Sequence, residues 1–157
     1  MKGQANSGKE HTAPWECTFT KEEEGICNPG KIPKSDEEYF EILSLCVLQA
    51  GLGWGSVRKN WRKTKAAFLN FDIDRLADSE VDEHLKNPGM IRNRKKTESI
   101  IANAREFQKI KKEYSSFSNY LNTLKKGDYD TAIDEITNRF RHIGKYSAEY
   151  FLHSIGY

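Results

Sequence analysis

The sequence predicts an all-α fold, and three observations carry that expectation. Apolar residues recur at the spacing of one helix face in segment after segment. Many of these runs are opened by Ser or Asp and closed by Gly or an Asn-Pro-Gly turn, and no segment alternates convincingly with a period of two. A chain of 157 residues suits one domain with a single core. The expected organisation is a disordered polar tail over 1–14, "MKGQANSGKEHTAP", followed by one helical domain over 15–157.

The elements follow in order. From Ser35, "SDEE" is a capping box, with Ser35 placed to accept a backbone N–H and Glu38 to reach back. Tyr39, Ile42, Leu43, Cys46 and Val47 then recur at helical spacing until Gly51 ends the pattern. Ser56 is placed to cap a helix over 56–68 that turns Val57, Trp61 and Phe68 inward and Arg58, Lys59, Arg62 and Lys63 to solvent. Short helices over 73–77 and 81–85 precede the turn at Asn87–Gly89. A longer helix over 94–113 keeps Ile100, Ile101, Ala104 and Phe107 on one face. Helices over 116–125, 129–140 and 146–155 complete the set, the last burying Phe151, Leu152 and Ile155.

Charge excludes little: 25 Lys+Arg against 23 Asp+Glu leave a net charge of +2, which argues neither for nor against a nucleic-acid partner. Cys17, Cys27 and Cys46 are odd in number and match neither a disulfide framework nor a close-spaced zinc pattern. No apolar N-terminal run suits a signal peptide or a membrane span, so a reduced cytoplasmic compartment is expected.

Two stretches invite chemistry. "LQAGLGW", 48–54, sets two glycines and a tryptophan at the end of an apolar helix, just before the basic run "RKNWRKTK". Spacing alone fits a glycine C-cap at Gly51 with Leu52 and Trp54 in the core. "NRFRHIGKYSAEYF" joins two amphipathic helices through a tight connection at Gly144. Such a hairpin can offer backbone N–H groups to a phosphate while His142 and Lys145 add hydrogen bonds and charge. An ordinary helix-helix turn fits the same residues, since the usual phosphate-binding hairpin has a second glycine where this chain has Tyr146.

Residues 49–105 resemble the DNA-3-methyladenine glycosylase I family of the helix-hairpin-helix glycosylase superfamily. The matches are "QAGLxW" at 49–54, "NFD" at 70–72, "GMIRNRKK" at 89–96 and "IIANAR" at 100–105, and the tail "FRHIGKYSAEYFLHSIGY" is similar to the family's hairpin, expected here near 129–155. With the helix from Ser35, the resemblance covers roughly three quarters of the chain. It implies a monofunctional enzyme that flips a nucleotide out of duplex DNA and hydrolyses the bond to 3-methyladenine or a related alkylated purine. Gly51 and Gly53 would let the backbone approach DNA, Leu52 would be the apolar wedge, and Trp54 the wall on which the base stacks. Gln49 would contact the wedge site or the orphaned partner base, and His142, Gly144 and Lys145 the phosphates. Arg58, Lys59, Arg62, Lys63, Lys65, Arg92, Arg94, Lys95 and Lys96 are placed to neutralise phosphates, although a solvated helix face accounts for most of them equally well.

The chain also departs from the family. Three positions ahead of the motif glutamine, where relatives carry the glutamate that reads the base, stands Cys46; Glu41 lies on another side of that helix. The family's "YHDxEWG" segment falls on "EGICNPG", 24–30, which puts Glu24 at the pocket tyrosine, while Trp15 can supply a second aromatic wall. With those ligands changed and the chain ending at Tyr157, the family's structural zinc is expected to be absent, Cys17, Cys27 and His11 being the first suspects should one be found. No cofactor, no catalytic residue and no lyase lysine are assigned. The expected partner is double-stranded DNA with alkylated bases, bound by a monomer away from membranes. A DNA-binding module that recognises damage without turnover is the alternative, and a helical interaction protein that has lost DNA is a third reading.

Overall fold

The computed structural model describes residues 32–157, apart from Gly53 and the side chain of Trp54. The tail over 1–14 and the segment with Trp15, Cys17, Glu24 and Cys27 therefore lie outside the described residues. Among those described, every regular element is a helix: α1 (Asp36–Gln49), α2 (Trp54–Lys59), α3 (Trp61–Ala67), a 3₁₀ turn (Leu69–Phe71), α4 (Ile73–Ala77), α5 (Val81–Leu85), α6 (Arg94–Tyr114), α7 (Phe117–Leu124), α8 (Tyr129–Arg139) and α9 (Lys145–Ser154). The all-α expectation holds. No helix among the described residues is long and apolar enough to cross a membrane.

Helix α1 is the axis of the fold. Ser35 Oγ accepts from the Glu38 amide at 3.2 Å as a capping box requires, but the Glu38 carboxylate reaches one residue past the cap and accepts from the Lys34 amide at 3.1 Å. Spacing predicts one buried face, yet every side chain from Ile42 to Leu48 is buried. Helices α2, α6, α7 and α9 and the 3₁₀ turn all pack around α1, so it has no solvent face to keep polar beyond Glu41 and its N-terminal turn.

The helix expected over 56–68 is two helices, the first beginning at Trp54 rather than at a Ser56 cap. Asn60 breaks it: its backbone sits at φ −102, ψ 9, and its side-chain amide donates to the Ser56 carbonyl at 3.1 Å, replacing a helical backbone bond with a side-chain one. The "NFD" motif is framework. Leu69, Asn70 and Phe71 take φ of 57, 56 and 56, a left-handed turn that costs L-residues about 1–2 kcal/mol each. Phe71, fully buried and stacked on Phe68 at 5.4 Å and Trp61 at 5.3 Å, offsets that strain, and Asp72 caps α4 by accepting from the Arg75 amide at 3.1 Å.

"IIANAR" is framework too. The Arg105 guanidinium donates to the Ala77 carbonyl at 2.8 Å and so closes α4. Asn103, 2% exposed, donates to the Arg141 carbonyl at 3.1 Å and accepts from the Arg141 amide at 2.8 Å, fastening the α8–α9 connection to the middle of α6. Asn103→Ala should cost about 1–3 kcal/mol, because it removes two part-buried hydrogen bonds to the Arg141 main chain. Urea unfolding followed by circular dichroism reads this loss, and an unshifted midpoint would show that the clamp bears no load.

Candidate nucleic-acid interface

The turn after α1 is built from main-chain bonds and two side chains. Gly51 sits at φ +79, and a Cβ there would meet nothing within 4 Å, so the left-handed backbone and not space requires glycine. The Leu52 amide donates to the Gln49 carbonyl at 2.7 Å, and the Gln49 side-chain amide donates to the Leu52 carbonyl at 2.9 Å. Gln49, expected to contact the wedge site or an orphaned base, thus braces the turn from within. Leu52 projects from it 52% exposed.

Lys96 completes the brace. Its Nζ donates to the Leu48 carbonyl at 2.7 Å and to the Ala50 carbonyl at 2.6 Å, and the side chain is buried. Burial lowers its pKa from the ordinary lysine value. Lys96 is therefore neither a solvated face residue nor a free phosphate ligand. Two other basic candidates are also engaged: Arg94 pairs with Asp82 and with Glu98, and Lys65 pairs with Glu41 at 3.2 Å. That last pair turns Glu41 away from any role in place of Cys46. Among the described residues Arg58, Lys59, Arg62, Lys63, Arg92, Lys95 and Lys145 have no carboxylate partner.

In the α8–α9 connection Phe140 and Ile143 are buried and the Asn103 clamp holds Arg141, which leaves His142, Gly144 and Lys145 on the outer side. The left-handed residue is His142, at φ 62, and not Gly144. Gly144 is the N-cap of α9 at φ −89, no side chain caps that helix, and a Cβ on Gly144 would meet nothing within 4 Å. Among the described residues nothing packs close enough to require a glycine there. Burial lowers the His142 pKa, and the nearby Lys96 and Lys95 ammonium groups lower it further.

A cavity of about 510 Å³ joins these parts. The turn contributes Leu48, Ala50, Gly51 and Leu52; α2 and α3 with their junction contribute Ser56, Val57, Asn60 and Thr64; the strip into α6 contributes Ile91, Arg92, Asn93, Lys95 and Lys96; the hairpin contributes His142. Sequence reasoning assigned no role to Asn60, Thr64 or Asn93. Asn93 did carry a signal, as an N-cap type just ahead of α6, where it accepts from the Lys96 amide at 3.0 Å. Cys46 is 1% exposed and is not one of the lining residues; burial pushes its thiol up to about 12. Trp15, Glu24 and the Trp54 side chain lie outside the described residues. So do His11, Cys17 and Cys27, and among the described residues no group of three potential ligands stands close enough to hold a metal ion.

Residues 29–150 match the family model described as methyladenine glycosylase. The chain belongs to the methyladenine glycosylase family. The DNA-3-methyladenine glycosylase of Haemophilus influenzae is 33% identical over 95 residues, 59% of this chain and 51% of that protein. An 8-oxoguanine DNA glycosylase/AP lyase of Methanocaldococcus jannaschii is 32% identical over 125 residues, 79% of this chain and 53% of that protein. This member thus spans about half the length of the curated relatives it matches. In fold it resembles 3-methyladenine DNA glycosylase I from Staphylococcus aureus, at TM-score 0.73 and 24% identity over 90% of this chain and 89% of that one.

The burial of Cys46 has a direct test. With Cys17 and Cys27 replaced by serine, the folded protein should leave an aromatic disulfide reagent unreacted until it unfolds. A rapid stoichiometric reaction at pH 7 would place this thiol at the surface instead.

Proposed function

We propose that this chain is a base-excision glycosylase that hydrolyses the N-glycosidic bond of 3-methyladenine or a related alkylated purine in double-stranded DNA, working as a monomer in the cytoplasm. One observation carries the reading: a half-exposed leucine at the tip of a braced turn lines the same cavity as a hairpin histidine and unpaired cations. Wedge, phosphate clamp and a space between them are the parts that base extrusion needs.

The reading implies the following steps. The uncapped start of α9 and Lys145 hold a phosphate of the duplex. Leu52 enters the stack as the nucleotide rotates out. The extruded base stacks on Trp54, with Trp15 and Glu24 as the further pocket residues the family resemblance implies. Water then adds at the sugar C1′ as the bond to the purine breaks, the electron pair of that bond neutralises the methylated ring, and the proton lost by the water passes to solvent. A cationic leaving group is already poorly bonded, so the reaction asks little of a general acid. Cys46 is a neutral thiol at physiological pH and lends no negative charge to hold the cation. Selectivity then rests on stacking, where the charged ring gains about 0.5–2 kcal/mol over neutral adenine. The same neutral Cys46 favours a second reading, a module that binds damaged DNA without turnover.

Mass-spectrometric analysis of bases released from methylated DNA separates the two. Release of 3-methyladenine supports the enzyme; salt-sensitive duplex binding without release supports the module. A protein that neither binds nor releases would end both.

Within the DNA reading, Gly144→Pro and Lys145→Glu should each weaken duplex binding while leaving most helicity intact, as fluorescence anisotropy and circular dichroism will show. Leu52→Ala should reduce base extrusion more than affinity, and equal losses of both would remove its wedge role. His142 gives a pH signature. Its imidazole should titrate below the ordinary histidine range in free protein and shift upward on duplex, because a phosphate favours the charged form. Duplex affinity should accordingly rise as pH falls through that pKa. An NMR titration in which DNA leaves His142 unmoved would take it out of the phosphate site.

A further inference from the structure

We infer that Lys96 is a positioning residue for base extrusion: its buried ammonium holds the turn that carries Leu52 against the recoil of wedging into a base stack. The inference rests on the reading of Leu52 as a wedge and adds the element that makes such a wedge stiff. A side chain pushed between bases is pushed back equally, and Leu52, half exposed, has little of its own chain to lean on. Its backbone follows Gly51, the most pliable residue type. Stiffness must come from bonds to the turn.

Two sources exist. Gln49 supplies one neutral side-chain bond, to the Leu52 carbonyl at 2.9 Å. Lys96 supplies two charge-assisted bonds, at 2.7 and 2.6 Å, each roughly twice the strength of a neutral one. They grip Leu48 and Ala50, on either side of the residue whose carbonyl accepts the Leu52 amide. The other end of this strut is anchored. The Lys96 amide is held by Asn93, and the following residues Ile100, Ala104 and Phe107 are buried in the core on a helix packed against α1.

The cost of the arrangement points the same way. The last carbonyls of a helix ending at an exposed turn can be satisfied by water. Here a lysine is desolvated for the task, and its pKa falls as a result. Closing the turn does not require a buried charge; resisting a load does.

The test uses the whole protein and a duplex with 2-aminopurine at the target position, whose fluorescence rises on extrusion, beside base release from methylated DNA under single turnover. For Lys96→Met we expect duplex affinity within about twofold of wild type while extrusion amplitude and single-turnover release fall about tenfold or more, with partial recovery in Lys96→Arg. A folded Lys96→Met protein that extrudes like wild type overturns the inference, as does one that loses affinity and extrusion in equal measure. Should Lys96→Met not fold, Lys96→Gln is followed by hydrogen exchange. The Leu52 amide must then exchange about tenfold faster while the Ile101 and Phe107 amides keep their protection; unchanged exchange at Leu52 overturns the inference. A wild-type protein that shows neither extrusion nor release defeats the wedge reading itself and the strut with it. Failure of the strut alone shows as wild-type extrusion matched by the Lys96 variants.

Discussion

Helix α1 ends on an ammonium group, and the geometry of the interface follows from that contact. Lys96 binds the Leu48 and Ala50 carbonyls, so the first residues of α6 and the last of α1 are fixed together although 46 and 48 positions separate the partners in sequence. Magnitudes explain why this bond and not another sets the turn. A hydrogen bond from a charged donor contributes about 1.5–3 kcal/mol and a neutral one about 0.5–1.5. An exposed ion pair such as Arg94 with Glu98 is worth about 0.2–1 kcal/mol. Unstacking a base step takes a few kcal/mol. Only the Lys96 pair is of the same size as that demand.

A second long-range bond orders the opposite side. Asn103 holds Arg141 by both main-chain groups, two turns further along the same helix that carries Lys96. Turn and hairpin are thus both referred to α6, whose apolar residues pack on α1. The distance across the cavity between Leu52 and His142 is set by one rigid element instead of by two loops. This is how a scaffold of short helices can hold the turn and the hairpin in register.

Local signals in the sequence carried most of the fold. Ser35 accepts the backbone amide it was placed for, caps of the same residue types at Asp72, Ser116 and Asp128 do likewise, and α4 and α5 begin and end where spacing and turn residues put them. The misreadings share a cause. Asn60 breaks a helix through a side-chain bond that competes with the backbone, and α1 is buried all round because of what packs on it; neither is visible in a single segment's periodicity. The site was legible as motifs but not as roles. "QAGL", "RNRKK" and the hairpin do meet at one cavity, yet Gln49, expected at the wedge site, and Lys96, read as phosphate-neutralising or solvated, hold each other's neighbourhood together. A lysine in a basic run looks solvated until its partner carbonyls, far away in sequence, are known. Asn103 was unreadable for the same reason.

The charge of the cavity wall decides what that space suits. Arg92, Lys95 and Lys96 line it, His142 gains positive charge on acidification, and no carboxylate among the described residues faces it. A cationic methylated base would find no electrostatic attraction there, while a phosphate or the sugar-phosphate strand of an extruded nucleotide would. The neutral Cys46 beside the core end of α1 does nothing to reverse this. If the base is to be favoured for its charge, the attraction must come from aromatic faces or from a carboxylate reaching in from outside this wall, and the tryptophans and Glu24 are the residues of the right chemistry. The cationic wall is therefore suited to a sugar-phosphate strand and not to a cationic base. Under the proposed function, strand affinity drawn from these cations would not depend on Cys46, which does not line the wall.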